Sequence, residues 1–122
     1  MEKLRRFDGV LVVEDEFLIA QDVEDKLYNL GFSTVYLAHN VERGRECLRS
    51  NPIGLAILDV NLGRELVFPL AADLRERQVP IIFCTARTYS DLPGEWAVHP
   101  IVPKPIDETL MIRAIRSLDP PG

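Results

Sequence analysis

The sequence predicts an α/β domain with a doubly wound, five-stranded parallel sheet. Three observations point there. Short apolar runs alternate with longer stretches of helical period, the pattern of a parallel sheet covered by helices on both faces. The chain has 122 residues, 47% hydrophobic and 27% charged, which suits one domain with one continuous core. No repeat or low-complexity segment interrupts the alternation.

Val10 to Val13 is the first strand. Phe17, Ala20, Val23, Leu27 and Leu30 then recur at helical spacing until Gly31, a natural C-terminal cap, closes the helix. Phe32 to Leu37 reads as the second strand, and Val41 to Arg49 as a short helix ended by Asn51 and Pro52. Leu55 to Leu58 is the third strand, Leu66 to Arg77 the third helix and Val79 to Phe83 the fourth strand. Between Arg87 and His99, Ser90, Pro93 and Gly94 leave little space for a regular fourth helix, so a shortened or irregular one, a loop with one helical turn, is expected. Ile101 and Val102 give a brief fifth strand. In the last helix Asp107 is the N-cap, and Leu110, Ala114, Ile115 and Leu118 form the buried face before Pro120 and Pro121. A single domain spanning 1–122, with no output domain, is expected.

Composition excludes several partners. With 19 acidic against 14 basic residues the net charge is -5, so nothing draws the chain as a whole to nucleic acid or to an anionic membrane. The residues after Met1 hold no apolar stretch of the kind a signal peptide or a membrane span needs, which places the protein in the cytoplasm. Arg5 and Arg6 read as a solvated entry to the first strand. Cys47 and Cys84 lack metal-ligand spacing and sit inside apolar patterns, where Cys acts as a small buried hydrophobe.

In an open parallel sheet, ligands bind beyond the carboxyl ends of the strands, where the strand order reverses. Glu14, Asp15 and Glu16 follow the first strand directly, and Asp59 follows the third. The flavodoxin-like order 2-1-3-4-5 makes these strands neighbours, so at least three of the carboxylates meet within a few ångströms. At roughly 4 Å and an effective dielectric near 20, each pair repels by about 4 kcal/mol. A hard divalent cation offsets this, and Mg²⁺ in particular accepts one or two carboxylates, keeps several waters and leaves room for a phosphate oxygen. Lys104, after the fifth strand, adds positive charge at the same edge, and Thr85, after the fourth, adds a hydroxyl. Taken singly, Asp15 and Asp59 read as helix caps or turn formers. The set does not: an acidic pair, a lone Asp, a Thr and a Lys-Pro occur in order at the carboxyl ends of strands one, three, four and five.

The segments VLVVEDE, LAILDVNLG, FCTA and VPKP resemble the receiver domain of two-component response regulators over nearly the whole chain. The resemblance implies that Asp59 is the phosphoacceptor and that Glu14, Asp15, Asp59 and the Asn61 backbone carbonyl bind Mg²⁺. It implies that Thr85 hydrogen-bonds one phosphoryl oxygen, that Lys104 pairs with another, and that Lys104-Pro105 is a cis peptide. It further implies a phosphoprotein of the cytoplasm, a monomer or weak homodimer, that takes its phosphoryl group from a histidine kinase or phosphotransfer protein and switches binding to a downstream protein. Such a protein is no enzyme beyond its own phosphorylation and dephosphorylation. The resemblance also implies that the residues two after the Asp and two after the Thr, Asn61 and Arg87, tune the lifetime of the acyl phosphate. The stretches DVNLG, VFPLAADL and VPIIFCTAR are similar to stand-alone receivers of alphaproteobacteria that work with histidine kinases of the HWE or HisKA2 type.

The chain departs from the family pattern at Ile101, where receivers usually carry a Tyr or Phe that couples to the Thr, and in the short segment between Thr85 and Lys104. Activation is therefore expected to be read out by the Arg87 to His99 loop, the fifth strand and the last helix, with Tyr89 or Trp96 as reporters. The alternative is a degenerate receiver that binds a partner without being phosphorylated. A phosphatase of the haloacid dehalogenase class needs a second Asp where Asn61 stands. A flavodoxin needs a phosphate loop where Glu14, Asp15 and Glu16 would repel the ligand.

Overall fold

The computed structural model describes residues 8–86 and 92–118. The apolar runs become β1 (Val10–Val13), β2 (Val35–Ala38), β3 (Leu55–Asp59), β6 (Ile81–Thr85) and β7 (Ile101–Pro103). They pair in parallel in the order β2-β1-β3-β6-β7, the predicted 2-1-3-4-5 arrangement. The helices are α1 (Phe17–Asn29), α2 (Val41–Ser50), α3 (Phe68–Glu76) and α4 (Glu108–Ser117). Residues alternate across the sheet. Leu11, Val13, Leu58 and Phe83 pack with α2 and α3 on one face, while Val10, Val12, Ile57 and Cys84 pack with α1 and α4 on the other.

Two strands start later than their apolar runs suggest, for one reason. At the end of α1 the amide of Gly31 donates to Tyr28 O and that of Phe32 to Leu27 O, with Gly31 at φ 105°. This Schellman closure uses Phe32 to satisfy helix carbonyls, so β2 begins at Val35. At the end of α3, Gln78 donates to Arg75 O and Val79 to Leu74 O, and Gln78 takes the left-handed position at φ 61°. Val79 thereby belongs to the cap of α3, and β6 begins at Ile81.

The third helix also starts later than expected. Residues 61–66 form a short antiparallel hairpin, β4 (Asn61–Leu62) with β5 (Glu65–Leu66), whose two-residue turn carries Gly63 at φ 66°. Leu66 is therefore an exposed hairpin residue and not the first turn of a helix. In α4, Asp107 caps as predicted, its Oδ1 accepting from the Leu110 amide at 3.1 Å. Its buried face, however, is Met111, Ala114 and Ile115, with Leu118 half-buried; Leu110 is exposed. Phe17 likewise lies outside the buried stripe of α1, exposed beside Leu18 at the helix start.

Among the described residues between β6 and β7, 94–96 form one 3-10 turn (Gly94–Trp96). Trp96 is buried, stacked on Phe68 at 5.7 Å and edge-on to Phe83 at 6.1 Å, with the Arg75 guanidinium 4.3 Å above its ring. His99 also stacks on Trp96, at 5.8 Å. The expectations for Arg87, Tyr89 and Ser90 lie outside the described residues.

Candidate functional site

Strand order brings the site residues together. β1 and β3 are neighbours with Val13 level with Leu58, so Glu14 and Asp59, each one residue further on, emerge side by side. Asp59 is level with Cys84, and Thr85 with Pro103, which sets Thr85 and Lys104 along the same edge. The Lys104 amide donates to Thr85 O at 3.1 Å. Glu14, Asp59 and Thr85 are the buried polar residues of the described chain, at 4%, 6% and 2% exposure. The Lys104-Pro105 peptide is cis.

Electrostatics tie these groups to one another. The Lys104 ammonium donates to Glu14 Oε2 at 2.7 Å and to Asp59 Oδ2 at 2.9 Å. The second Glu14 oxygen accepts from the Glu16 amide at 3.2 Å, and the second Asp59 oxygen lies 3.4 Å from the Asn61 amide. Burial pushes the Glu14 carboxyl up to about 7; the Lys104 hydrogen bond opposes this and the nearby Asp59 charge adds to it. Burial alone would lower the Lys104 ammonium, but its hydrogen bonds to Glu14 and Asp59 and their charges outweigh that and raise it. Burial pushes the Cys84 thiol, level with Asp59, up to about 12, so it is an inert packing group.

The donor chemistry fits a hard cation. One oxygen each of Glu14, Asp15 and Asp59 lies within 4.8 Å of the others, two carboxylates buried and the third exposed. Two of the three carboxylates, Glu14 and Asp59, share the Lys104 ammonium, which leaves charge for a divalent ion to neutralise. The capping explanation fails for both aspartates. α1 has Glu16 at its N-cap with no side-chain bond, and α3 starts well beyond Asp59, at Phe68. A Cβ placed on Gly63 would stand 3.6 Å from Asp15 Oδ2, so the β4–β5 turn reaches the edge of the same cluster.

Two neighbouring features were not legible in the sequence. The hairpin carrying Asn61 and Gly63 is too short to leave a period, though its Gly63 is a turn signal. Leu18, with Ile19, Ala86, Pro105 and Ile106, lines an open groove of about 420 Å³ beside Lys104; its exposure is hidden inside an apolar helix start.

Comparison with known proteins agrees with this geometry. The family described as response regulator receiver domain matches residues 10–116. The transcriptional regulatory protein DltR of Streptococcus agalactiae is 31% identical over 112 residues, 88% of this chain and 50% of its own; the chain thus spans about half the length of that relative. Among solved structures, SdrG from Sphingomonas melonis Fr1 is 32% identical with a TM-score of 0.82, over 92% of this chain and 96% of that one. The receiver domain of PhyR from Erythrobacter litoralis is 26% identical with a TM-score of 0.81, over 95% and 96%. No helix among the described residues is long and apolar enough to cross a membrane. With the strand order, the acidic cluster and a family match running from β1 to the last turn of α4, this chain belongs to the response regulator receiver domains of two-component systems.

Proposed function

We propose that this receiver accepts a phosphoryl group on Asp59 from a phosphohistidine of a kinase or phosphotransfer protein, and that the acyl phosphate changes its affinity for a partner protein. The observation that carries this reading is the position of Asp59: a buried carboxylate at the end of β3, one oxygen held by Lys104. An Asp59 oxygen attacks phosphorus in line. The phosphorus–nitrogen bond breaks and its electron pair returns to the donor imidazole, leaving an acyl phosphate. Glu14, Asp15, Asp59 and the Asn61 carbonyl would hold Mg²⁺, which would supply charge neutralisation for the transferring oxygens. Lys104 exchanges a carboxylate partner for a phosphoryl oxygen, and the Thr85 hydroxyl binds another.

The groove beside Lys104, with Leu18 exposed at its rim, is the proposed seat of the phosphodonor protein. The match to SdrG over 96% of that chain supports a receiver that acts alone, and we place it in the cytoplasm; DltR, of which the match covers 50%, represents the competing arrangement with a further domain. The reading is tested by incubating the protein with acetyl phosphate and Mg²⁺ and measuring the intact mass. Phosphorylation of the parent and none of Asp59→Ala is expected. Equal labelling of both removes Asp59 as acceptor. No labelling of either favours a phosphorylation-independent binding module.

A further inference from the structure

We propose that Glu65 is a positioning residue for the acidic site: bonded to the first amide of α2, it holds the β4–β5 hairpin, and with it Asn61 and Gly63, against Asp15 and Asp59. The inference rests on the reading of that cluster as a divalent-cation site.

The hairpin consists of two residue pairs, Asn61 with Leu66 and Leu62 with Glu65. A two-stranded ribbon that short does not hold its own shape in water. Its first strand is anchored by Leu62, which is buried in the core under α2 and α3. Its second strand lacks such an anchor, because both Glu65 and Leu66 are exposed. The chain is fixed again at Val67, whose amide donates to Val60 O at 3.1 Å. Between those points the side-chain hydrogen bond that ties β5 to another element among the described residues is that of Glu65 Oε2, which accepts from the Val41 amide at 3.2 Å.

That amide is a favourable partner. The first N–H groups of a helix have no intrahelical acceptor, and the helix start carries partial positive charge. Asn40 satisfies the Arg43 amide at 2.8 Å, and Glu65 satisfies Val41, so two side chains divide the α2 terminus between them. Asn40 adjoins its own helix; Glu65 reaches it from 24 residues away. Loss of Asn40 therefore loosens α2 alone. Loss of Glu65 also releases β5, and the turn at Gly63 is then no longer held within reach of the Asp15 carboxylate.

The test compares Glu65→Ala, Glu65→Gln and Asn40→Ala with the parent, by amide NMR during titration with Mg²⁺ alone and by hydrogen exchange without metal. Glu65→Ala is expected to bind Mg²⁺ about tenfold more weakly, the lower end of what groups that orient metal ligands contribute. Its hairpin amides should exchange faster in the metal-free protein. Glu65→Gln keeps an acceptor oxygen and should stay within about threefold of the parent, losing only the charge at the helix start. Asn40→Ala should leave Mg²⁺ affinity unchanged. Parent-like binding by Glu65→Ala, or equal weakening by Asn40→Ala, overturns the proposal. Should Asp59→Ala bind Mg²⁺ as tightly as the parent, the reading of the cluster fails instead; unchanged metal-free exchange in Glu65→Ala then still overturns the role of Glu65 in holding the hairpin, and faster exchange supports it.

Discussion

Lys104 and Asp59 are hydrogen-bonded at 2.9 Å, and the same ammonium reaches Glu14 at 2.7 Å, so one cation serves two buried carboxylates. A third, Asp15, stands within 4.8 Å of both with no ion pair among the described residues. Removing that charge should help the metal-free protein: Asp15→Asn is expected to gain about 1 kcal/mol in urea unfolding without Mg²⁺, a Coulomb repulsion discounted for exposure. With Mg²⁺ at about ten times its dissociation constant, the parent should gain about 1.4 kcal/mol and the variant much less. An Asp15→Asn protein no more stable than the parent in chelator contradicts this account.

Truncating the shared cation has the opposite sign. Lys104→Met leaves two nearly buried carboxylates facing each other, and its metal-free stability should fall by about 2 kcal/mol at neutral pH. Acidification should restore much of the loss as Glu14 takes up a proton. A loss that stays constant from neutral to acidic pH assigns the effect to packing of the lysine stem.

Glu14 is expected to set the pH dependence of the proposed metal site. Its carboxyl rises from 4.5 to about 7 on folding. Its contribution to metal-free stability is therefore fully present below pH 4.5 and is lost as pH rises through about 7. Mg²⁺ needs the ionised form, so affinity should weaken by up to about tenfold per pH unit below pH 7. Calorimetric titrations across that range check it, with Glu14→Gln expected to bind weakly at every pH. A flat affinity in the parent would show that Glu14 is not a ligand.

Docking in the proposed groove is separable from the chemistry at Asp59. Leu18→Asp, at the rim, should slow phosphotransfer from a protein phosphohistidine by about tenfold or more while leaving phosphorylation by acetyl phosphate unchanged. Equal slowing with both donors would place the effect at Asp59 and remove the groove as a docking surface.

Phe83 and Thr85 lie two apart on β6 and point to the same face, and Phe83 is in edge contact with Trp96 and His99. Trp96 thus covers the core, and Trp96→Ala should cost about 3 to 5 kcal/mol. Because Thr85 and this cluster share a strand, beryllofluoride with Mg²⁺ should change Trp96 emission and amide exchange within 92–118, leaving β2 nearly unchanged. Exchange that changes at α1 and α2 only would show that the output surface lies elsewhere.

The parts of the fold legible in the sequence are those written in apolar period or in a residue with one dominant meaning. Gly31 marked the end of α1 because its left-handed backbone is a glycine's usual task; Gln78 occupies the same conformation at the end of α3, and nothing in its chemistry signals it. Asp59, Glu14, Asp15, Thr85 and Lys104 were legible because strand order alone brings strand ends together. The Glu65 bond to Val41 was not, since it depends on a hairpin two pairs long and on a separation of 24 residues. Leu110 and Met111 exchanged places because neighbouring apolar residues fit a helical stripe almost equally well, and packing against the sheet chooses between them.

Glu14 and Lys104 are 90 residues apart, directly after β1 and β7, the first and last strands along the chain. During synthesis the acidic pair and Asp59 are made long before the lysine that balances them, at a pace of about 5 to 20 residues per second. Until β7 docks, the half-built sheet carries an unbalanced negative edge, which resists closing the strands tightly. The arrival of one ammonium offsets part of that repulsion, so the last strand to be translated brings the cation shared by acids at the ends of the first and third. A chain stalled after β6 holds Glu14, Asp15 and Asp59 but lacks the ammonium that two of them share.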